Sequence, residues 1–173
     1  MDHAAAKPSP AIKLEPPRFE SGKPLLIAGI RKSYVPTEMG GIPAQWRAFA
    51  PHIGKIPGQI GGTAYGICWQ ATDNASIEYL SGVEVSGFAG VPGDFTVVSL
   101  PAAQYAVFPH RAHASKLYAT CDAISKWLPD SGYECAADAE TPAFFERYSE
   151  EFDPHTGLGG MEVWVPINPK EIL

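Results

Sequence analysis

The chain has 173 residues, room for one domain and for a core that takes roughly two thirds of the unfolded surface out of water. Apolar residues at 45% and aromatics at 11% exclude a disordered chain, and 17 Gly with 17 Pro argue for many turns and strands over a helical bundle. A formal charge of -6 without any Lys/Arg cluster lacks the footprint that a phosphate backbone requires, so direct nucleic-acid binding is not expected.

Residues 1–18 are rich in Ala, Pro and Lys without periodicity and are expected to form a disordered arm, with a single domain over 19–173. The N-terminus lacks the apolar run of a signal peptide. No segment approaches the about 20 apolar residues that span a bilayer, so a soluble, cytoplasmic protein without membrane association is expected. Cys68, Cys121 and Cys135 are widely spaced with no Cys-x-x-Cys pair, which indicates neither a disulfide framework nor a zinc ribbon and fits a reducing compartment.

Pro24 to Tyr34 is a continuous apolar run too short for a buried helix and is predicted as the first strand. A helix is predicted from Thr37, a plausible N-cap, to about Ile53, with Trp46 and Phe49 on one face and a late start or kink demanded by Pro43. Gly61 and Gly62 break the chain before a second strand, Ala64 to Ala71, in which Tyr65, Ile67 and Trp69 alternate. Asp73-Asn74 then turns into a third strand, Ile77 to Val85, paired as a hairpin. The second half repeats this order. Strand material in Phe95 to Leu100 and Gln104 to Pro109 is followed by a helix, Ser115 to Leu128, whose Leu117, Cys121, Ile124 and Leu128 form one apolar stripe. Tyr118, Trp127 and Tyr133 are expected to pack that helix on the sheet. Two strands close the unit, Ala143 to Tyr148 and Met161 to Ile167. Two pseudo-symmetric β-α-β-β units predict an α+β fold: an antiparallel sheet with helices on one face and a ligand cleft on the other.

The closing pair of strands carries the most informative chemistry. With period two, Phe144, Glu146 and Tyr148 share one face, and Phe145 and Arg147 share the other. In the last strand Met161, Val163, Val165 and Ile167 make a core face, which leaves Glu162 with Trp164. A carboxylate beside large apolar surface is solvated, paired or used. The candidate cleft residues are therefore Glu146, Tyr148, Phe144, Trp164, Glu162, Tyr65, Trp69, Tyr79, Tyr105 and Trp46, since rings offer flat apolar contact and cation-π geometry while a desolvated carboxylate selects positive charge. The plainer reading is that the rings are core and that Glu146 pairs with a surface cation. Arg147 is poorly placed for that, because adjacent strand residues point apart. His110 and His113 have no third ligand nearby and fit a structural role better than a metal site. No Ser or Cys stands in a nucleophile context, and neither Gly-Gly pair has a phosphate-loop pattern, so no cofactor, covalent or nucleotide chemistry is expected.

Four spaced motifs carry a family resemblance: Tyr-x-x-Phe-x-His from Tyr105, Trp-Leu-Pro-x-Ser-Gly-Tyr from Trp127, Phe-Glu-x-Tyr from Phe145 and Glu-x-Trp-x-Pro from Glu162. Over about Phe19 to Ile167 the chain resembles the GyrI-like, AraC-type effector-binding domain of the SOUL/GyrI-like superfamily. The resemblance implies a pseudo-twofold pair of β-α-β-β units whose central cleft takes bulky, often cationic or aromatic small molecules, with a buried glutamate among aromatics. By position that glutamate is Glu146, with Glu162 as second choice. In regulators of this type a helix-turn-helix region precedes the domain, and the short arm here is not expected to supply one. The reading that follows is sensing or sequestration of hydrophobic, cationic compounds. Two alternatives are a hydrolase of strained cyclopropane-type electrophiles using Glu146 as acid or base, and a protein-interaction module of the gyrase-inhibitor sort whose partner is gyrase or a regulator.

Overall fold

The computed structural model describes residues 12–71 and 75–171. Among them are nine strands and two α-helices: β1 (Arg18–Gly22), β2 (Leu25–Tyr34), α1 (Ile42–Phe49), β3 (Gln59–Gln70), β4 (Ile77–Val85), β5 (Thr96–Leu100), β6 (Ala103–His110), α2 (Leu117–Trp127), β7 (Tyr133–Cys135), β8 (Phe144–Tyr148) and β9 (Met161–Pro169). Every pairing is antiparallel, in the order β1-β6-β9-β8-β3-β4-β2-β5, with β7 added on β9.

That order is a palindrome of equivalent strands about the β8–β3 pair, the mark of a duplicated unit. The outermost strands are exchanged: β1 leads into β2 but pairs with β6, and β5 leads into β6 but pairs with β2. The exchange has a geometric consequence. In a flat sheet β1 and β2, six places apart, would be about 29 Å from each other. Only residues 23 and 24 join them, and that connection reaches about 10 Å. The β5–β6 connection, residues 101 and 102, imposes the same limit. The sheet therefore curls until its two ends meet. Ile27 and Leu100 from one end pack with Tyr105 and Val107 from the other, around Tyr65, Ile67, Trp69, Leu80 and Phe145.

The two helices cover the convex face. Phe49 of α1 packs on Ala28, Val83 and Val85, while Leu117 and Ile124 of α2 pack on Phe108, Met161, Val163, Val165 and Ile167. The predicted Thr37 to Ile53 helix is shorter: α1 begins at Ile42 with Pro43 in its first turn, between 3-10 turns at Pro36–Gly41 and Ala50–His52, and Thr37 is not its cap. Gly61 and Gly62, read as a break, lie inside β3, where the register to β4 shifts between Gln59 and Ala64 and Gly61 takes φ +65°. Strands β1 and β7 have no counterpart in the sequence reading. The expected arm lies in part outside the described residues, as does the Asp73-Asn74 turn; within the described part, Leu14 packs on the α2 core and β1 begins at Arg18. Trp127 packs on Phe108 and Tyr133 is half-buried, but Tyr118 is 68% exposed and does not pack the helix on the sheet. No helix among the described residues is long and apolar enough to cross a membrane.

Candidate functional site

Across the convex face runs a row of directly opposed residues, Val163, Glu146, Gly66, Ser81 and Ile30, from β9, β8, β3, β4 and β2. The pseudo-twofold passes between Glu146 and Gly66, so the carboxylate on one side corresponds to a glycine on the other. Gly66 is required there. A Cβ at that position would lie 2.1 Å from the Tyr79 hydroxyl and 3.1 Å from Glu146 Oε1.

Glu146 is 8% exposed. The Tyr79 hydroxyl donates to its Oε1 at 2.8 Å, Trp46 Nε1 donates to that hydroxyl at 2.9 Å, and the Tyr148 hydroxyl lies 3.5 Å from Oε2. The Trp46 ring stands edge-on to both tyrosines, at 5.3 Å from Tyr148 and 6.5 Å from Tyr79. Phe144 and Cys68 complete this cluster with Tyr34 and Ile42. On the far side Cys121, on the stripe of α2, is near enough to feel the Glu146 charge. The carboxylate thus lies buried at the seam between the two helices, at the β3–β8 pair, with the Trp46 ring of α1 closing over Tyr79 and Tyr148 beside it.

Burial pushes the Glu146 carboxyl up to about 7, against the pull of the hydrogen bonds from Tyr79 and Tyr148. Among the described residues no Lys or Arg forms an ion pair with it. Burial and then the Glu146 charge hold the Tyr79 and Tyr148 hydroxyls well above their usual range. The same two causes, in that order, take Cys68 up to about 12 and raise Cys121. These four neighbours stay neutral, and none of the described residues pairs with the carboxylate as a counter-charge.

The structure divides the candidate residues between two places. Glu146, Tyr148, Phe144, Tyr79 and Trp46 come together on the convex face, at the seam between α1 and α2. Tyr65, Trp69, Tyr105, Trp164 and Glu162 lie on the concave face, where the sequence reading located the cleft. There Phe145 stacks on Trp164 at 5.4 Å, with Tyr65 and Tyr105 edge-on to it at 5.6 and 5.4 Å, so these rings fill the middle of the concave face. Glu162 is a paired charge. Arg18 donates to its Oε2, Trp164 Nε1 donates to Oε1 at 3.2 Å, and Arg147 stands 3.7 Å off. Burial pulls the Glu162 carboxyl up, but the Arg18 and Trp164 hydrogen bonds with the Arg18 and Arg147 charges outweigh it, and its pKa lies below the usual value. The reason for the division is register: Glu146 faces Val163 across the β8–β9 pair and Arg147 faces Glu162. His110 is a buried strut, with Nδ1 on Thr120 Oγ1 at 2.7 Å and Nε2 donating to the His113 carbonyl at 2.9 Å.

Two residues of the site were missed in the sequence. Gly66 had a signal, a lone glycine in mid-strand, which marks a close approach. Gln45 had none. It is buried, its Nε2 donates to the Ile30 and Tyr79 carbonyls at 2.8 and 3.0 Å and its Oε1 accepts from the Tyr34 hydroxyl at 2.5 Å, which pins α1 beside the Glu146 cluster.

The family model for the GyrI-like small molecule binding domain matches residues 15–168. The chain belongs to that family. This GyrI-like chain is 30% identical over 124 residues, 70% of its length, to the transcriptional regulator BrlR of Pseudomonas aeruginosa, of which the match covers 44%. The chain therefore spans less than half of that regulator. Its fold is similar to that of SAV2435 solved with tetraphenylphosphonium, with TM-score 0.71 at 19% identity over 88% of this chain and 93% of that one. It is also similar to the EcmrR C-terminal domain, with TM-score 0.60 at 14% identity over 92% and 100% of the two chains. The matched region thus occurs within a transcriptional regulator.

Proposed function

We propose that this protein captures bulky lipophilic cations in a groove that opens between α1 and α2, with Glu146 as counter-charge and Trp46, Tyr79, Tyr148 and Phe144 as aromatic walls, and that it serves to sense or sequester such compounds. The observation that carries this reading is the buried Glu146 carboxylate, surrounded by rings and without a cation of its own. A buried charge is costly unless it is paired. A cationic guest supplies the missing charge, and the ring faces add about 0.5 to 2 kcal/mol each where they meet it. Entry requires the Trp46 side chain to swing off Tyr79 and Tyr148, while Gln45 and Phe49 hold α1 itself in place. The likeness to a tetraphenylphosphonium-bound structure supports the choice of ligand class.

Titration of tetraphenylphosphonium against the wild type and Glu146→Gln tests this. Loss of about a hundredfold in affinity is expected, the scale of removing one partner of a buried charge pair. Equal affinity, or no binding by either, overturns the assignment.

A carboxyl that titrates near 7 also favours a second reading, acid or base catalysis in the hydrolysis of strained electrophiles. Turnover of a cyclopropane-bearing substrate that disappears in Glu146→Gln would establish it; uptake of one equivalent without product would remove it.

A further inference from the structure

The face of β8 that points away from Glu146 borders a cavity of about 660 Å3 over β1, β6, β8 and β9. The chain has five arginines, and three of them, Arg18, Arg111 and Arg147, line this cavity. We propose that it is a second binding site, for a small amphiphilic oxyanion: a phosphate or carboxylate group on an apolar body.

The three guanidinium groups have different work. Arg18 is committed, to Glu162 and, at 2.9 Å, to Glu20. It also lies over the Trp164 ring at 5.8 Å, so it forms the fixed floor. Arg147 shares Glu162 with Arg18, but its Nη1 is 3.7 Å from the carboxylate oxygen, beyond hydrogen-bonding distance. It also meets the neutral Tyr65 hydroxyl, whose pKa burial raises and a hydrogen bond from Arg147, then its charge, pull down; this engages only part of a five-donor guanidinium. Arg147 therefore has N–H donors to give. Arg111 meets Glu15 through Nε at 2.7 Å, a pair exposed on both sides, at 75% and 43%, and so weak and readily exchanged for a ligand. The lining carries two carboxylates, Glu151 and Glu162, and two more, Glu20 and Glu15, pair with Arg18 and Arg111 just beyond it. Glu162 is held by Arg18, which leaves Arg147 and Arg111 as the donors that an incoming anion meets. Arginine suits this task, because its planar fork binds phosphate and carboxylate oxygens in pairs. Pro16 and Pro109 supply apolar surface beside the donors, and the volume exceeds what a bare inorganic anion fills. The donors stand on residues other than those of the cation groove, so each site can hold or fail without the other.

The test is calorimetric titration of the full chain with phenyl phosphate, benzoate and inorganic phosphate. Saturable millimolar or tighter binding of phenyl phosphate or benzoate is expected, weakening as salt is raised, with inorganic phosphate the weaker ligand. The preferred member of the aromatic pair identifies the headgroup. Arg111→Ala, at an exposed position that leaves the fold intact, and Arg147→Lys, which keeps the charge but not the fork, should each lower affinity about tenfold. Glu146→Gln should leave it unchanged. Absence of saturation by about 10 mM, equal affinity in wild type and Arg111→Ala, or binding that depends on Glu146 overturns the proposal.

Discussion

Two carboxylates lie one strand apart and meet opposite fates. Glu162, on the concave face, is half-buried beside Trp164, and two arginines neutralise it. Glu146, on the convex face, is buried among four rings with only hydroxyl donors, and burial holds its carboxyl near 7. Residue type and aromatic surroundings are alike in the two places; the difference is the counter-charge. A charge satisfied within the fold contributes to the fold, and one left unsatisfied weakens the empty protein and is available to a guest.

The largest test of that contrast is stability. Between about pH 4.5, the ordinary carboxyl value, and about 7, the folded protein holds a proton on Glu146 that the unfolded chain has already released. Its stability should therefore fall as pH rises through that window and level off above it. Glu146→Gln removes the penalty and should gain roughly 3 kcal/mol above neutral pH and little below about pH 4.5 in urea denaturation. Glu162→Gln should instead lose about 1 kcal/mol, because two arginines are left together. A loss in both variants would erase the distinction.

Next comes the glycine opposite Glu146. Gly66→Ala places a Cβ against the Tyr79 hydroxyl, and the strand must shift or the Tyr79–Glu146 hydrogen bond must break. The expected cost is about 1 to 3 kcal/mol of stability together with weaker binding of tetraphenylphosphonium. An alanine variant that is neutral in both would mean that the packing around Glu146 is looser than described.

Part of this was legible in the sequence. Period-two alternation brought Phe144, Glu146 and Tyr148 to one face, and the repeated strand, helix, strand, strand order pointed to two matched units. What alternation does not contain is the pairing partner. A one-residue difference in register exchanges the faces of a strand, and the β8–β9 register set Glu162 and Trp164 behind Glu146 rather than beside it. The curl of the sheet depends on β1 pairing with β6, residues more than eighty positions apart, and no local pattern in Arg18–Gly22 announces it. Gln45 reads as an ordinary helix residue until the carbonyls it bridges are in place.

A smaller effect sharpens the account of Glu146 alone. If only the ionised carboxylate holds the cation, affinity for tetraphenylphosphonium should rise about tenfold between about pH 6 and pH 8 and then level off, following the titration of a group near 7. Glu146→Gln should show a flat profile over the same range. A wild-type profile that is equally flat would mean that the charge of Glu146 does not contribute to binding.

The most direct measurement is the titration of Glu146 itself, followed by carbon-13 NMR at its Cδ with and without tetraphenylphosphonium. A midpoint near 7 in the free protein, falling by at least about one unit when the cation is bound, is the predicted result. A midpoint at the ordinary value of 4.5, or one that the cation leaves where it was, would contradict the claim that this carboxylate is buried without a partner and kept for a cationic guest.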